Sequence, residues 1–263
     1  MEKVKIKLVT IGHLPLHLNL KLVSAWDSKL FELVGEIDNF ALRCDSDGPS
    51  WEFSDKLLRE QLPVEIGANF TLAIVNVPIE DNWYSRRLGN NRIVFTFSQI
   101  REFLAGENIP LENAILRVLY AYVLIFRRSG NKIPGFDEAS SFTHDETRGC
   151  LFDMNGVKSD LVESCVNPIL CGECEEQLRK KRVSDQTIKI AQKEIRKIRK
   201  RLYYRVFDFI KNKPVIALMI SSVFAILLGI AGSLIAACIY DFVKPQPSQV
   251  PVSKGGPSLK KSP

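Results

Sequence analysis

The pattern of hydrophobic and polar residues predicts strands in three places in the N-terminal part of the chain. Val4, Ile6 and Leu8 alternate with lysines, which is typical of a strand with one buried face. Phe70–Ile79 and Arg92–Phe97 are apolar runs of strand length, and such runs are typical of strands in a buried sheet.

Segments with apolar residues at helical spacing lie between and after these strands. The spacing predicts helices over Ser24–Val34, Ser54–Gln61 and Ile100–Ala105. A longer helix is predicted over Leu111–Phe126, and because it is apolar almost all round we expect it to be central. Strands alternating with helices favour an α/β (α+β) fold, so we expect one α/β domain over 1–178, which we call the head.

The chain carries no formal charge between Pro214 and Tyr240. A bilayer core about 30 Å thick is crossed by roughly 20 apolar residues of helix, so this run is long enough to span it with some tilt. The run predicts one transmembrane helix over 214–240 in a single-pass membrane protein. The segment 241–263 is rich in Pro, Ser, Gly and Lys, which predicts a disordered tail.

The charges on either side of the predicted span indicate its orientation in the cell membrane. Residues 179–213 carry 14 Lys and Arg against 3 Asp and Glu, whereas residues 241–263 carry 4 against 1. Because cations are enriched on the cytoplasmic side of a span, we expect the head to be cytoplasmic. The head itself, with 18 cations against 26 acids, is negatively charged, so no nucleic-acid partner is expected.

The segment 179–213 is predicted to be a basic juxtamembrane helix. Its apolar positions from Ala191 to Phe209 follow the four- and three-residue spacing of a coiled coil, interrupted by Arg205. A solvated helix linking the head to the span is the simpler interpretation, because the surrounding cations would make such a dimer repel itself. The same cations would attract anionic lipid headgroups, at about 1 kcal/mol each near the surface.

Four residues of the head have the spacing of a zinc site. A cytoplasmic domain keeps its thiols reduced, so its cysteines are candidate metal ligands or buried residues rather than disulfides. A CxxC motif supplies two converging thiolates, and a structural zinc site needs two more ligands. The pattern H-x5-C-x20-C-x2-C within residues 143–174 provides all four, and we predict that they bind structural zinc: His144, Cys150, Cys171 and Cys174.

The ligand set and the chemistry of the motif leave alternatives open. Cys165 is a reserve fourth ligand in place of His144, or else a buried core cysteine. The CxxC motif is also found in redox dithiols, although no βαβ thioredoxin context precedes it here. We attribute the tight turn between the two motif cysteines to Gly172.

Other polar groups near these residues fit ordinary structural roles better. His13 and His17 have the spacing of a helical metal-binding pair, but Pro15 and the strand before them favour a loop or core role. A cluster of acids predicts a solvated loop with hydrogen bonds to His144 or Arg148, and no general acid–base pair can be assigned among its members: Asp145, Glu146, Asp153 and Asp160.

The cysteine-rich segment resembles the archaemetzincins, which are compact zinc proteases. In that family a helix with HExxHxxGxxH leads into a Cys, a further Cys and Met, and then a CxxC motif followed by a basic helix. The second half of this order is matched by CLFDM (Cys150–Met154), CGEC (Cys171–Cys174) and EEQLRKKR (Glu175–Arg182). The resemblance covers roughly residues 1–180, mainly 143–180, and implies a metzincin-like fold.

The departure from that family concerns its catalytic centre. The helix that would hold HExxH is LENAILRVLYAYVLIFRR, which contains no His and one Glu. A catalytic zinc needs three protein ligands and a carboxylate that accepts the proton of water, and this helix supplies neither. The resemblance therefore implies a metzincin-like fold without a catalytic site, in which His144, near the position of the family's third catalytic His, has joined the cysteine site.

Small residues recur along one face of the predicted span. Such residues at four-residue spacing let two membrane helices approach closely, so we expect a homo-oligomer formed through this face: Ser221, Ala225, Gly229, Ser233 and Ala237.

Together these features favour a single-pass, membrane-anchored and catalytically inactive protein. Its zinc-stabilised head would bind an unidentified protein partner or a signal, and would act as a sensor, an interaction domain or a membrane effector. The alternative is a diverged membrane-bound zinc metallopeptidase or hydrolase.

Overall fold

The computed structural model describes residues 2–62, 67–136, 138, 143–145 and 147–243. The chain divides into two compact units, Met1–Arg205 and Val206–Pro263. The first unit therefore extends beyond residue 178, where the change in composition predicted that the head ends.

The first unit contains a mixed sheet of six described strands, five of which lie in the order β2-β1-β4-β6-β5. The third strand, β3, pairs with the second half of β1, beside β2. All pairings are parallel except that of β5 with β6. The strands are β1 (Val4–Ile11), β2 (Phe31–Leu33), β3 (Asp38–Phe40), β4 (Phe70–Val75), β5 (Ser85–Gly89) and β6 (Arg92–Thr96).

Helices follow or connect these strands, and the last of them lies in the second unit. They are α1 (Leu20–Ser24), α2 (Asp55–Gln61), α3 (Ile100–Gly106), α4 (Leu111–Arg128), α5 (Leu161–Ser164), α6 (Gly172–Lys180), α7 (Asp185–Ile195), α8 (Leu202–Asn212) and α9 (Pro214–Val243). Ser54 caps α2, because its hydroxyl accepts the N–H of Leu57 at 3.2 Å.

Apolar residues cover both faces of the sheet. Ile6 and Leu72 belong to the larger core, which includes α1 and α4, whereas Val9 and Ala73 belong to a smaller core that includes α2. The sequence predicted that β1 has one exposed face, but its residues are buried from Ile6 onward because α2 covers the second face. The α/β class predicted from the alternation of elements is confirmed.

The longest helices predicted from the sequence are present in the structure, whereas one of the shorter predicted helices is absent. The central helix α4 is buried from Leu111 to Phe126, as its apolar composition predicted. The helix predicted over Ser24–Val34 is wrong. That segment contains only the end of α1 and then β2, since Phe31 pairs with Val4 at the edge of the sheet.

The single basic helix predicted over 179–213 is replaced by three shorter helices. Residues 181–184 separate α6 from α7, and residues 196–201 separate α7 from α8. Three residues of the proposed coiled-coil seam, Ala191, Ile195 and Ile198, are buried in the core of the first unit. The spacing of these residues therefore reflects packing against the head, and nothing in the structure supports a coiled coil here.

The apolar run forms the continuous helix α9. Its segment Pro214–Tyr240 is long and apolar enough to cross a membrane. Its large side chains, such as Leu227 and Ile235, are exposed. The helix continues to Val243, three residues into the predicted tail, and the remainder of that tail, 244–263, lies outside the described residues.

Candidate metal centre

Short backbone pairings fold the segment around the predicted ligands. The N–H of His144 donates to the carbonyl of Phe152 at 3.1 Å, and the N–H of Met154 donates to the carbonyl of His144 at 2.9 Å. The N–H of Leu151 donates to the carbonyl of Ile169 at 2.9 Å. These bonds bring His144 and Cys150 next to the residues that precede the CxxC motif.

The CxxC motif forms the beginning of helix α6. Cys171 is the N-cap residue, and its sulfur accepts the N–H of Cys174 at 3.5 Å. Gly172 is the first helical residue, so the helical turn itself brings the two thiols together, rather than a special conformation of Gly172. The left-handed glycine of the site is Gly149, with φ +80°, directly before Cys150.

The four predicted ligands form one cluster. Their ligand atoms all lie within 4.8 Å of one another. The Sγ atoms of Cys150 and Cys174 are 3.8 Å apart, and the Sγ of Cys171 is 3.5 Å from the Nε2 of His144. A tetrahedral zinc ion with Zn–S of about 2.3 Å and Zn–N of about 2.0 Å places two sulfurs about 3.8 Å apart and a sulfur and a nitrogen about 3.5 Å apart. Two pairs of ligand atoms therefore have the separations of a tetrahedral zinc site, and the other pairs lie within 4.8 Å.

The close packing of the thiols shifts their proton affinities in opposite directions. The pKa of Cys150 is lowered to about 5, first by its hydrogen bond with the Cys174 thiol and then by the backbone N–H groups of Phe152 and Cys171. The pKa of Cys174 is raised, because it shares that hydrogen bond and ionises next to the Cys150 thiolate. A cation between the two sulfurs would favour the thiolate form of both.

The other cysteines of the chain lie outside this cluster. Cys165 is fully buried, and burial raises the pKa of its thiol to about 12. Its backbone carbonyl accepts a hydrogen bond from the Nδ2 of Asn113 on α4, at 2.9 Å. The structure therefore gathers His144 rather than Cys165 with the three other thiols.

The acids of this segment do not join the cluster. Asp153 is buried, and its Oδ1 accepts the N–H of Asn155 at 3.2 Å. Asp160 forms an ion pair with Arg148, as the charge pattern predicted. Asp145 is exposed, and Glu146 lies outside the described residues. Within the described ranges, no other group of three or more His, Cys, Asp or Glu side chains is close enough to hold a metal ion.

A buried arginine connects the central helix to the metal-binding segment. The guanidinium of Arg117 donates to the carbonyl of Leu151 and to the hydroxyl of Ser164, both at 3.0 Å. It also donates to the hydroxyl of Tyr84 at 3.1 Å. The sequence pattern did not identify this role, and the available signal was a single cation in the middle of an otherwise apolar helix.

Compared with protein-family models, with curated proteins and with solved structures, the chain shows no match.

Proposed function

We propose that this protein is a membrane-anchored, non-enzymatic binding protein whose head is stabilised by a structural zinc ion. The observation that carries the proposal is the set of four ligand atoms that all lie within 4.8 Å of one another, two pairs of which have tetrahedral separations. Four protein ligands fill the coordination sphere of zinc, whereas a catalytic zinc keeps one position open for water or substrate. The zinc would therefore connect the segments that hold it and would not take part in a reaction with a substrate.

The donor atoms favour zinc over other metals. Three thiolates and one imidazole are soft or borderline ligands, whereas magnesium and calcium prefer oxygen ligands. In a cytoplasmic head the thiols would be reduced and available for the metal. Zinc would also couple to folding, because it would join the first turn of α6 to the segments that hold His144 and Cys150.

The resemblance to archaemetzincins belongs to the same proposal. A mixed sheet beside a long central helix is compatible with a metzincin-like fold. In this chain α4 has no His, and its Arg117 contacts the segment that follows Cys150. We therefore propose a metzincin-like head that keeps a structural metal site and lacks a catalytic one.

The proposal places α9 in the cell membrane and the head in the cytoplasm. The support is the length and apolar composition of Pro214–Tyr240 together with the 14 cations over residues 179–213. These cations would contact anionic lipid headgroups, and α9 would assemble with a second copy through its small-residue face.

Metal analysis of the full chain in detergent micelles tests the central claim. We expect about one zinc ion per chain in the wild-type protein. The variants Cys171→Ser and Cys174→Ser should lose it and unfold at a lower temperature. Cys165→Ala is the matched control, because it removes a buried thiol outside the cluster, and it should keep the metal.

Two results would contradict the proposal. One is a wild-type protein, purified in zinc-containing medium under reducing conditions, that carries no zinc. The other is a peptidase activity that a chelator abolishes while the protein stays folded, because this would assign the metal to catalysis.

A further inference from the structure

The topology of the sheet creates a crevice next to β1. From β1 the chain passes through α1 to β2 on one side, and from β3 it passes through α2 to β4 on the other side. Helices α1 and α2 lie on opposite faces of the sheet. In open α/β sheets the carboxyl ends of two strands at such a switch point border the common position of ligand sites. Here those ends are Ile11 and Val75.

A cleft of about 990 Å³ lies at this position. Its walls include His13 and His17 from the loop after β1, and Asn76, which directly follows β4. The first turn of α4 and Tyr204 complete it. This volume is at the upper end of the roughly 300–1,000 Å³ that is typical of pockets for small organic ligands.

Several polar groups of this cleft have no partner within the described part of the chain. The Oδ1 atom of Asn76 is buried and accepts no hydrogen bond there. The side chains of His13, His17 and Arg201 likewise make no hydrogen bond or ion pair with any described residue. A buried acceptor without a donor costs about 1–3 kcal/mol, and Asn76 itself is partly exposed in the cleft, so a rotation of its amide that presents Oδ1 to a ligand donor would remove this cost.

Some polar and charged side chains of the cleft already have partners, and others are free to bind a ligand. Arg101 pairs with its neighbour Glu102, and Glu112 accepts the N–H of Asn19 at 2.6 Å. Among the described residues that line the cleft, Arg201 is the cation without an acidic partner. The first turn of α4 has no side-chain cap, and Glu112 in that turn offsets the positive end of the helix dipole, so the donors for an anion are Arg201 and the two histidines. The cleft therefore offers donors for an anion, an acceptor at Asn76, and apolar walls at Ile109 and Leu111.

We propose that this cleft binds a nucleoside phosphate. The phosphate would be held by Arg201 and the two histidines, a ring N–H or a hydroxyl of the ligand would donate to the Oδ1 of Asn76, and the base would pack against the apolar wall and Tyr204. This inference rests on the proposed binding role of the head, whose signal it identifies by chemical class, and it does not depend on the metal.

Binding is measured by isothermal titration of the full chain in detergent micelles with AMP, GMP, CMP and UMP in turn. Inorganic phosphate and the four free nucleosides serve as comparison ligands. We expect at least one monophosphate to bind with a dissociation constant below about 1 mM, and to bind at least about tenfold more tightly than phosphate or its own nucleoside. Arg201→Gln and Asn76→Leu should each weaken it about tenfold or more.

Lys197→Gln is the matched control, since it removes one cation from a part of the surface outside the cleft, and it should bind as the wild type does. Arg201 is exposed, so its substitution leaves the core intact. Three results would overturn the inference. They are the absence of any monophosphate with a dissociation constant below about 1 mM, inorganic phosphate that binds as tightly as the monophosphates, or an unchanged affinity in both cleft variants. Zinc content is determined on the same samples, so a failure of this inference with one zinc per chain leaves the proposed metal site standing.

Discussion

At the scale of single residues, Glu194 shows that an acid in a basic surface segment can be a buried hydrogen-bond acceptor. In the sequence it is an isolated acid among the cations of a basic segment. In the structure it is buried, and its carboxylate accepts hydrogen bonds from the hydroxyls of Ser28 and Tyr120, both at 2.7 Å, and from the N–H of Lys29 at 2.8 Å. One carboxylate therefore holds α7 against α4 and the loop before β2.

Glu194→Gln should destabilise the head. The substitution removes the negative charge from three hydrogen bonds and turns one acceptor atom into a donor, so we expect a loss of about 1.5–3 kcal/mol in the free energy of unfolding. Thermal unfolding of the full chain in detergent measures it. Glu176→Gln is the control, because Glu176 forms an exposed pair with Lys180, and it should change stability by less than about 0.5 kcal/mol. Equal effects of the two substitutions would contradict the structural role of Glu194.

At the scale of elements, the sequence predicts well those segments whose pattern depends on their own residues. Leu111–Phe126 and Pro214–Tyr240 are long apolar runs, and the helix predicted over Ser54–Gln61 has apolar residues at helical spacing. The three-residue strands β2 and β3 are too short to show a period, and only their pairing with β1 defines them. For these strands, the tertiary contact decides the structure.

Two substitutions in the basic segment 179–213 test whether its apolar residues pack in the core or form a coiled coil. Ile195 is buried in the core of the first unit, whereas Leu202, two positions further along the proposed seam, is 71% exposed. Ile195→Ala should cost about 2–4 kcal/mol of stability, and Leu202→Ala, the control, should cost far less. Urea unfolding followed by circular dichroism compares them. If the segment formed a coiled coil instead, both substitutions would change the oligomeric state, which crosslinking detects.

The small-residue face of α9 gives a second test. Gly229 and Gly232 have open space where a side chain would lie, and the hydroxyl of Ser233 is bonded within the helix to the carbonyl of Gly229 at 2.9 Å. This smooth surface allows close approach of a second helix. Gly229→Ile and Ser233→Ile should weaken dimerisation in a bacterial two-hybrid assay. Ala231→Ile, about 200° around the helix from Gly229, is the matched control and should leave association unchanged. Equal signals from all three variants would contradict this interface.

At the scale of the whole molecule, the two candidate sites differ in how far the sequence can predict them. The metal cluster draws on a single segment, so the spacing of His144, Cys150 and the CxxC motif was sufficient to find it. The cleft draws on His13, Asn76, Glu112 and Arg201, which are far apart in the chain, and only the tertiary fold brings them together. Spacing alone carries no information about such a site.

The orientation of the chain is the last expectation that concerns the molecule as a whole. Moving the cation-rich side of the span across the membrane is disfavoured, so the 14 cations before Pro214 should hold the head in the cytoplasm. Alkaline phosphatase, which is active only after export, should therefore be active in bacterial cells when fused after Tyr240 and inactive when fused in front of Met1 of the full chain. The same fusions in a chain without residues 214–240 serve as the control, and both should be inactive. Activity of the fusion in front of Met1 alone would reverse the orientation and would place the thiols of the metal cluster in an oxidising compartment, where disulfides compete with zinc.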